Sequence, residues 1–579
     1  MRRISLANIF SEKKVFLLFL LANLIPVSLT RFIGSLDGPQ HLYISNVIVQ
    51  LLKGNGFYQQ FYNVNPPIVG NILGNYFLAF FNLFLQAWVA EKILIITCLV
   101  LFVTGFRYLV NSINGKSGYL TLLIFPFSSH TFLMLGYYNF SLAIALLFFA
   151  LGYWVKYYKI LTIRRAIVFF GLLTLTYYAH IFVFAFLLMM VGLYTTFIFI
   201  HEFINGRPQT FRNFLVRAGF ALACAVPGLV LAYLYLEIIP DIGPSAGADN
   251  VFDHWAYLRE LNMLAGFDFL IEKKYTKMLF LIIIFTILAV LIFRAFRLVK
   301  EYRQGEKIGS KIFKVNDFWF LLASLFLCFF FYFPNQMSIP PRVSILFFSL
   351  LILWIALQEF PPKLAFIPLG FVIFIGISLN TIRVSFLIQA DIVIREIQSL
   401  EKLVPENTLM MTANYSDNWV FYHFRNYLGT EKPLVDLRSP ACADVFAVNW
   451  THRKRPFTFV GGKDAAIFTE NFNKTGYYPT LIAEYVAIVG YEQLADVDPE
   501  DKTKKLLSRD FQLVYVTPTK TTALFKFIGW EKVNHNRLYL MKNPEFYKLL
   551  TEKAKKFGVP FEDVLLRDAI WSYDQSFNE

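Results

Sequence analysis

In the stretch Ser35-Leu36-Asp37-Gly38-Pro39-Gln40-His41-Leu42-Tyr43 an acid and a histidine stand four residues apart where a helix would begin. That spacing puts both side chains on one helix face. Asp37, His41 and Ser45 then form a polar stripe, and Ile44, Val47, Ile48 and Leu51 an apolar one. A carboxylate on such a stripe is a candidate general base, and a neighbouring histidine can orient it or bind an acceptor. The same residues also read as a capping box, with Asp37 capping the helix and Gln40 reaching back to the backbone. The two readings differ in whether the carboxylate is spent on the helix or left for chemistry.

Composition sets the surroundings of this stretch. The 579-residue chain is 56% hydrophobic and only 16% charged, where a soluble domain carries about 25% charged residues. This is a membrane-protein composition. The net charge of +14 sits largely in short loops between apolar runs, which is the positive-inside pattern rather than a nucleic-acid footprint. Four cysteines, three of them in apolar runs, imply neither a disulfide framework nor a metal site. Arg2, Arg3, Lys13 and Lys14 precede the apolar run Val15–Leu29. With no small-residue cleavage signal after it, this run reads as a retained first span that keeps the N-terminus inside and delivers Asp37 outside.

Further spans are expected at Lys92–Val110, Tyr119–Met134, Tyr137–Val155, Ala166–Tyr178, Ile181–Ile200, Phe214–Glu237, Met278–Phe296, Phe318–Phe333, Val343–Gln358 and Leu364–Arg383. That makes about eleven crossings. Asn71–Ala90 is apolar as well, but a crossing there would turn Arg107, Lys116 and the Lys156–Arg165 cluster outward. It is therefore expected to lie on or dip into the outer face. The inside loops then hold those residues, Arg207 to Arg217, and the basic Arg294–Lys314 stretch.

This topology gathers unusual residues on the side of Asp37. His130, Tyr137, Tyr138 and Asn139 flank one external turn, and Tyr177, Tyr178 and His180 another. A long loop, 238–277, holds Asp241, Asp249, Asp253, His254 and Arg259, and Asn335, Gln336 and Arg342 flank a last turn. Interfacial tyrosines are ordinarily belt anchors, and the two histidines are equally readable as hydrogen-bonded interfacial groups. Arg342 follows Pro340-Pro341 at a helix start, where a cation opposes the dipole, and an anionic ligand would account for it. The substrate-binding candidates are His41, His130, Tyr138, Asn139, His180, Asp253, His254 and Arg342.

The fold class expected is a mainly α-helical polytopic membrane domain, 1–388, with juxtamembrane helices in its first external loop (31–91), followed by a soluble α/β domain, 389–579. Leu409–Thr412, Phe457–Val460 and Leu513–Val516 read as strands, and Asp391–Leu403 and Glu545–Phe557 as helices. An odd number of crossings puts this domain outside. Asn473-Lys474-Thr475 matches a glycosylation acceptor, and the basic Thr451–Arg455 stretch reads as a solvated loop.

The chain resembles the GT-C superfamily of integral-membrane glycosyltransferases, in particular bacterial members related to protein mannosyltransferases and lipid A aminoarabinose transferases. The residues that carry the resemblance are Leu36-Asp37-Gly38-Pro39-Gln40-His41-Leu42 after the first span and Asn65-Pro66-Pro67-Ile68 before an apolar surface helix. The resemblance implies a bacterial inner-membrane enzyme with its C-terminal domain periplasmic. It would transfer a sugar from a polyprenyl-phosphate donor to a glycan, lipid or protein acceptor. The chain departs from that pattern in three places. The turn Leu135-Gly136-Tyr137-Tyr138-Asn139 lacks the second acid found in many members. Asp417-Asn418-Trp419 stands where oligosaccharyltransferases have Trp-Trp-Asp, and Asn65 stands where relatives often have His or Lys. A divalent metal is thus an open question, with Asp37, His41 and His130 as its candidate ligands.

On this reading Asp37 is the base that takes the acceptor proton, and Arg342 meets the charge developing on the leaving phosphate. Lys273, Lys274 and Lys277 are weaker candidates for the same task, and the loop with Asp253 and His254 closes over the site. One-step displacement inverts the anomeric centre. Two other function classes fit the same topology: a transporter or flippase of lipid-linked sugars, and a noncatalytic cell-envelope assembly protein.

Overall fold

The structure, a computed structural model, describes residues 11–238, 251–304, 314–333, 338–437, 442, 446–451, 457–458, 480–481, 483–498 and 502–575. Arg2, Arg3, Asp241, Asp249, Asn335, Gln336, most of the Thr451–Arg455 stretch and the Asn473 acceptor lie outside the described residues. Two compact units divide the chain. The first is Met1–Ile33, Pro66–Phe77 and Glu91–Gln389; the second is Gly34–Asn65, Leu78–Ala90 and Ala390–Glu579. The division at Gln389–Ala390 lies beside the expected domain boundary. The first external loop, however, is shared out, and its segments 34–65 and 78–90 cluster with the C-terminal region.

Among the described residues eight helices are long and apolar enough to cross a membrane: Ala87–Asn114, Tyr138–Tyr157, Ile181–Ile204, Thr210–Leu236, Phe269–Arg303, Val315–Tyr332, Ile339–Ala356 and Pro362–Glu401. Glu12–Ser28 and Ile163–Ala179 have 17 residues each, a length of about 26 Å against a hydrocarbon core of about 30 Å. The expected span at Tyr119–Met134 is broken. It is a 3₁₀ helix at Tyr119–Ile124, then single turns at Phe125–Ser128 and Thr131–Met134. Pro126 opens the second piece, and His130 is extended between the last two. Leu73–Asn82, at ten residues, is too short to cross, in keeping with the expectation for 71–90. Tyr138–Tyr157 is buried over most of its length, while Phe269–Arg303 and Thr210–Leu236 are mostly exposed and face outward.

The second unit is built on a five-stranded sheet. Its strands in chain order are β2 (Thr408–Asn414), β3 (Leu434–Asp436), β7 (Tyr485–Val489), β8 (Phe511–Val516) and β9 (Thr522–Phe527), with β1 (Tyr62–Val64), β4 (Val448–Trp450), β5 (Phe457–Thr458) and β6 (Thr480–Leu481) outside it. The order is β3-β2-β7-β9-β8. β2 runs parallel to β3 and β7, and β9 runs antiparallel to β7 and β8. Met411, Ala413, Val486 and Ile488 are all but fully buried on it. β1, from the first loop, pairs antiparallel with β4 through Tyr62↔Trp450 and Val64↔Val448. The loop is thus built into this unit by backbone hydrogen bonds.

Parallel strands need a crossover, and between β2 and β3 it is the 3₁₀ helix Trp419–Tyr427. Side chains three apart eclipse in a 3₁₀ helix. Phe421, Phe424 and Tyr427 accordingly form one column, with ring centroids 4.3 and 5.6 Å apart. The Gly38–Leu52 helix packs against this segment. An amphipathic surface helix was expected there, but it is buried on nearly every side, Ser45, Asn46 and Val47 included. The covering surface comes from the C-terminal region, more than 380 residues on, which no local pattern announces. Asn46 Nδ2 donates to the Gly429 carbonyl at 2.7 Å. Tyr43 Oη lies 2.9 Å from Tyr62 Oη and accepts from the Asp436 N–H at 2.8 Å.

Candidate functional site

Asp37 is the N-cap residue of the Gly38–Leu52 helix, and its side chain makes no capping hydrogen bond. The backbone carbonyl of Asp37 takes the first helical N–H groups, those of Gln40 and His41. Gln40 does not reach back either: its amide nitrogen is hydrogen-bonded to Nδ1 of His423. The capping-box reading is therefore set aside. The Asp37 carboxylate is part-exposed and lies 3.7 Å from Nε2 of the same His423. One imidazole thus meets two groups from the first turn of the helix, one at each ring nitrogen.

His423 belongs to the second column of the 3₁₀ helix, between Val420 and Asn426. The segment starts at a turn in which Asn418 accepts from the Val420 N–H at 3.0 Å. Asp417-Asn418-Trp419 thus sets the direction of the segment that carries His423. Burial pushes the His423 pKa down to about 3, aided by the charges of Arg425 and His41. The imidazole is neutral at physiological pH. With the Gln40 amide donating to Nδ1, the ring proton sits on Nε2 and faces the carboxylate. His41 is part-exposed, one turn on from Asp37.

The remaining candidates belong to the first unit. Arg342 Nη1 donates to His180 Nε2 at 3.0 Å. Its guanidinium lies over Phe140, Phe132 and Tyr137 at 5.2, 5.4 and 5.7 Å from the ring centroids. His180 is 5% exposed, and its Nδ1 has no hydrogen-bond partner among the described residues. The external turns at 137–139 and 180 and the start of Ile339–Ala356 thus converge on one arginine. His130 lies against the same Phe132 and Phe140, at 6.3 and 6.1 Å. It is fully buried, and its Nδ1 accepts the Leu133 N–H at 3.2 Å, so its observed job is to cap Thr131–Met134.

Tyr138 and Asn139 act as tethers. Tyr138 Oη donates to Glu91 Oε1 at 2.6 Å, with both residues fully buried. Asn139 Oδ1 accepts the Gly74 N–H at 2.6 Å and its Nδ2 donates to the Asn71 carbonyl. Tyr177 and Tyr178 donate to the Ile68 and Pro67 carbonyls at 2.6 and 3.0 Å and so tie Pro66–Phe77 to this turn. Asp253 is exposed on the helix Val251–Arg259, and His254 packs on Phe330 at 5.3 Å. Lys273 and Lys277 are both engaged by Glu260, at 2.7 and 3.0 Å, and these contacts hold the Glu260 carboxyl below its usual range despite its burial. Among the described residues no group of three or more His, Cys, Asp or Glu side chains is placed to hold a metal ion, so Asp37, His41 and His130 are not such a group.

A groove of about 220 Å³ runs between Glu12–Ser28, Phe125–Ser129 and Pro362–Glu401. Each segment contributes its apolar residues first and its polar ones at its C-terminal end: Asn23 after Phe19, Ser129 after Phe125, and Asn380 and Arg383 after Val372. The lining is apolar apart from Asn23, Ser129, Asn380 and Arg383. Arg383 is itself held by Glu272, by Ser129 Oγ at 2.9 Å and by the Leu264 carbonyl. A larger groove, about 460 Å³, between Phe269–Arg303 and Pro362–Glu401 has only Thr286 as a polar lining residue and offers no reactive group.

Sequence reasoning missed His423, Glu91 and Arg383. A signal existed for the last two, because an ionisable residue inside an apolar run is a functional or structural marker by default. No family model matches the sequence, and no curated protein matches it. Among solved structures the chain is similar to ArnT from Cupriavidus metallidurans in the apo state, with TM-score 0.45 and 10% identity, covering 89% of this chain and 98% of that one. It is also similar to the same protein bound to undecaprenyl phosphate, with TM-score 0.43 and 10% identity, covering 88% and 97%.

Proposed function

We propose that the protein is a membrane glycosyltransferase that moves one sugar from a polyprenyl-phosphate donor to a hydroxyl of an acceptor on the outer face of a bacterial inner membrane. The observation that carries this reading is Asp37. It stands where a cap is expected, makes no capping bond, and keeps its carboxylate part-exposed beside a neutral imidazole. The acceptor hydroxyl gives its proton to Asp37 as its oxygen bonds to the anomeric carbon. The bond from that carbon to the phosphate oxygen breaks, its electron pair leaves with polyprenyl phosphate, and the anomeric centre inverts. A base held in place contributes about two to four powers of ten.

The leaving phosphate needs a cation near its growing charge. Arg342 fits this role, with its guanidinium among three aromatic rings. Ring contacts and the hydrogen bond to His180 restrict the guanidinium, and a restricted guanidinium is suited to phosphate contact. The mainly apolar groove between Glu12–Ser28 and Pro362–Glu401 would suit the hydrocarbon chain of such a lipid. A glycan, a lipid or a protein hydroxyl would each satisfy the chemistry of the acceptor.

The test is transfer in proteoliposomes. Purified protein is given a panel of radiolabelled polyprenyl-phosphate sugars with cell-envelope extract as acceptor. Movement of label from the lipid fraction into the extract supports the proposal, and the active donor names the sugar. Passage of intact labelled lipid between leaflets with no transfer would replace this reading with the transport one.

A further inference from the structure

We propose that His423 is a positioning residue for Asp37, so that the C-terminal domain completes the base. The inference rests on the glycosyltransferase reading and adds a residue that the first external loop cannot supply alone. Asp37 and Gln40 are three apart, one turn, at the start of the Gly38–Leu52 helix. His423 comes from the crossover between β2 and β3, 383 residues beyond Gln40. Its Nδ1 is hydrogen-bonded to the Gln40 amide and its Nε2 lies 3.7 Å from Asp37 Oδ1. One polar group of the helical turn thus holds one ring nitrogen by a hydrogen bond, which turns the other nitrogen toward the carboxylate at 3.7 Å.

The chemistry at each nitrogen selects one tautomer. A proton on Nδ1 would confront the Gln40 N–H with a second donor and turn the Nε2 lone pair on the carboxylate, two repulsive contacts. A proton on Nε2 makes both contacts attractive. The ring must also stay neutral. Arg425, buried on the same 3₁₀ helix, and His41, on the site helix, are the ionisable neighbours that oppose an imidazolium there. Neutrality matters for a base. A cation beside Asp37 would stabilise the carboxylate and weaken its grip on a proton. A neutral N–H donor orients the carboxylate without neutralising it.

Packing alone does not ask for an imidazole at this position. The segment is anchored by the Phe421–Phe424–Tyr427 column, which His423 does not join. The ring of His423 stands edge-on to Tyr422, 4.7 Å away, and both its nitrogens face polar groups.

The experiment measures transfer kinetics for wild type, His423→Phe, His423→Gln, Asp37→Asn and the double variant Asp37→Asn/His423→Phe, all as full-length protein in proteoliposomes. Glutamine places an amide N–H close to the position of Nε2. His423→Phe is expected to lower kcat about 10- to 100-fold, the usual cost of losing a group that orients a catalytic one, with KM for the donor little changed. His423→Gln is expected to recover most of the loss. In the Asp37→Asn background His423→Phe is expected to add nothing further, because groups that act as a unit are not additive. Full kcat in His423→Phe, the same loss in both Asp37 backgrounds, or a glutamine variant no better than phenylalanine would overturn the inference. Should His423→Phe fail to fold, His423→Leu, which also lacks the N–H, takes its place in the single and the double comparison, with the same outcomes expected and the same outcomes overturning the inference. The two readings fail separately. Absent transfer by wild type, or full activity in Asp37→Asn, sinks the base together with its positioning residue. An inactive Asp37→Asn beside an unaffected His423→Phe sinks only the latter.

Discussion

Asp37 occupies a helix N-cap without serving as one through its side chain. Replacing a working Asp cap with Ala costs about 1 kcal/mol. Asp37→Ala is expected to lower the thermal midpoint of the purified protein by less than a lost cap would bring, since its side chain makes no capping bond. A drop of the size that a lost cap brings would restore the capping reading. His423 gives a pH prediction at the same scale. Its folded pKa is near 3 because of burial first and Arg425 and His41 next, while an unfolded histidine titrates near 6.5, as a rough reference. Below pH 6.5 the unfolded chain takes up a proton that the folded one refuses. Stability held above that pH is lost as pH falls toward the folded value, by about 2 kcal/mol at pH 5. Thermal melts at pH 7 and pH 5 check this: wild type loses more on acidification than His423→Gln. Equal losses would mean that His423 titrates normally in the fold.

Elements explain what sequence reading reached and what it did not. Apolar runs dictate membrane helices, so Tyr138–Tyr157, Ile181–Ile204 and Ile339–Ala356 stand within a few residues of their expected places. Tyr119–Met134 has the composition of a span but breaks at Pro126 and at the extended His130, where hydrogen-bond geometry overrides hydropathy. The strand cores at 409–412 and 513–516 were readable from β-branched and apolar clustering. The Trp419–Tyr427 segment was not, because a 3₁₀ helix repeats every three residues and mixes aromatics with Arg and Asn. Without that segment His423 has no address. Gly429 terminates the same crossover at φ +84°, and a Cβ there would stand 2.8 Å from the Tyr43 ring and 3.1 Å from the Leu434 carbonyl. Gly429→Ala is expected to destabilise the protein by more than about 1 kcal/mol. It should also lower kcat, because the turn adjoins both the site helix and the His423 segment. A neutral outcome in a thermal melt would contradict the fold described for this crossover.

At the scale of the whole molecule, the charge of the loops implies an orientation. The positive-inside rule predicts the basic stretch that begins at Arg294 on the inner side, and Asp37 and the C-terminal domain on the outer side. Single-cysteine labelling in intact cells checks it, in a background freed of Cys98, Cys224, Cys328 and Cys442. Cysteine in place of the exposed Glu531 is expected to react with an impermeant maleimide, and cysteine in place of the exposed Tyr302 only after permeabilisation. The reverse pattern would place Asp37 on the inner face and end the proposal for an external acceptor. What the chain's composition implied at this scale, many membrane helices followed by an α/β domain, matches the architecture. The association of segments 34–65 and 78–90 with the C-terminal region was not legible, because it depends on pairings such as Tyr62↔Trp450 between residues far apart in the chain.

The central claim is that Asp37 is the base of a sugar transfer from a polyprenyl-phosphate donor, and its most direct test is release of polyprenyl phosphate. Wild type and Asp37→Asn, matched in thermal midpoint, are incubated with the active donor and envelope extract, and the freed lipid phosphate is quantified. The account predicts release by wild type and a rate lower by about two to four powers of ten in the variant. Equal release by the two proteins would contradict it.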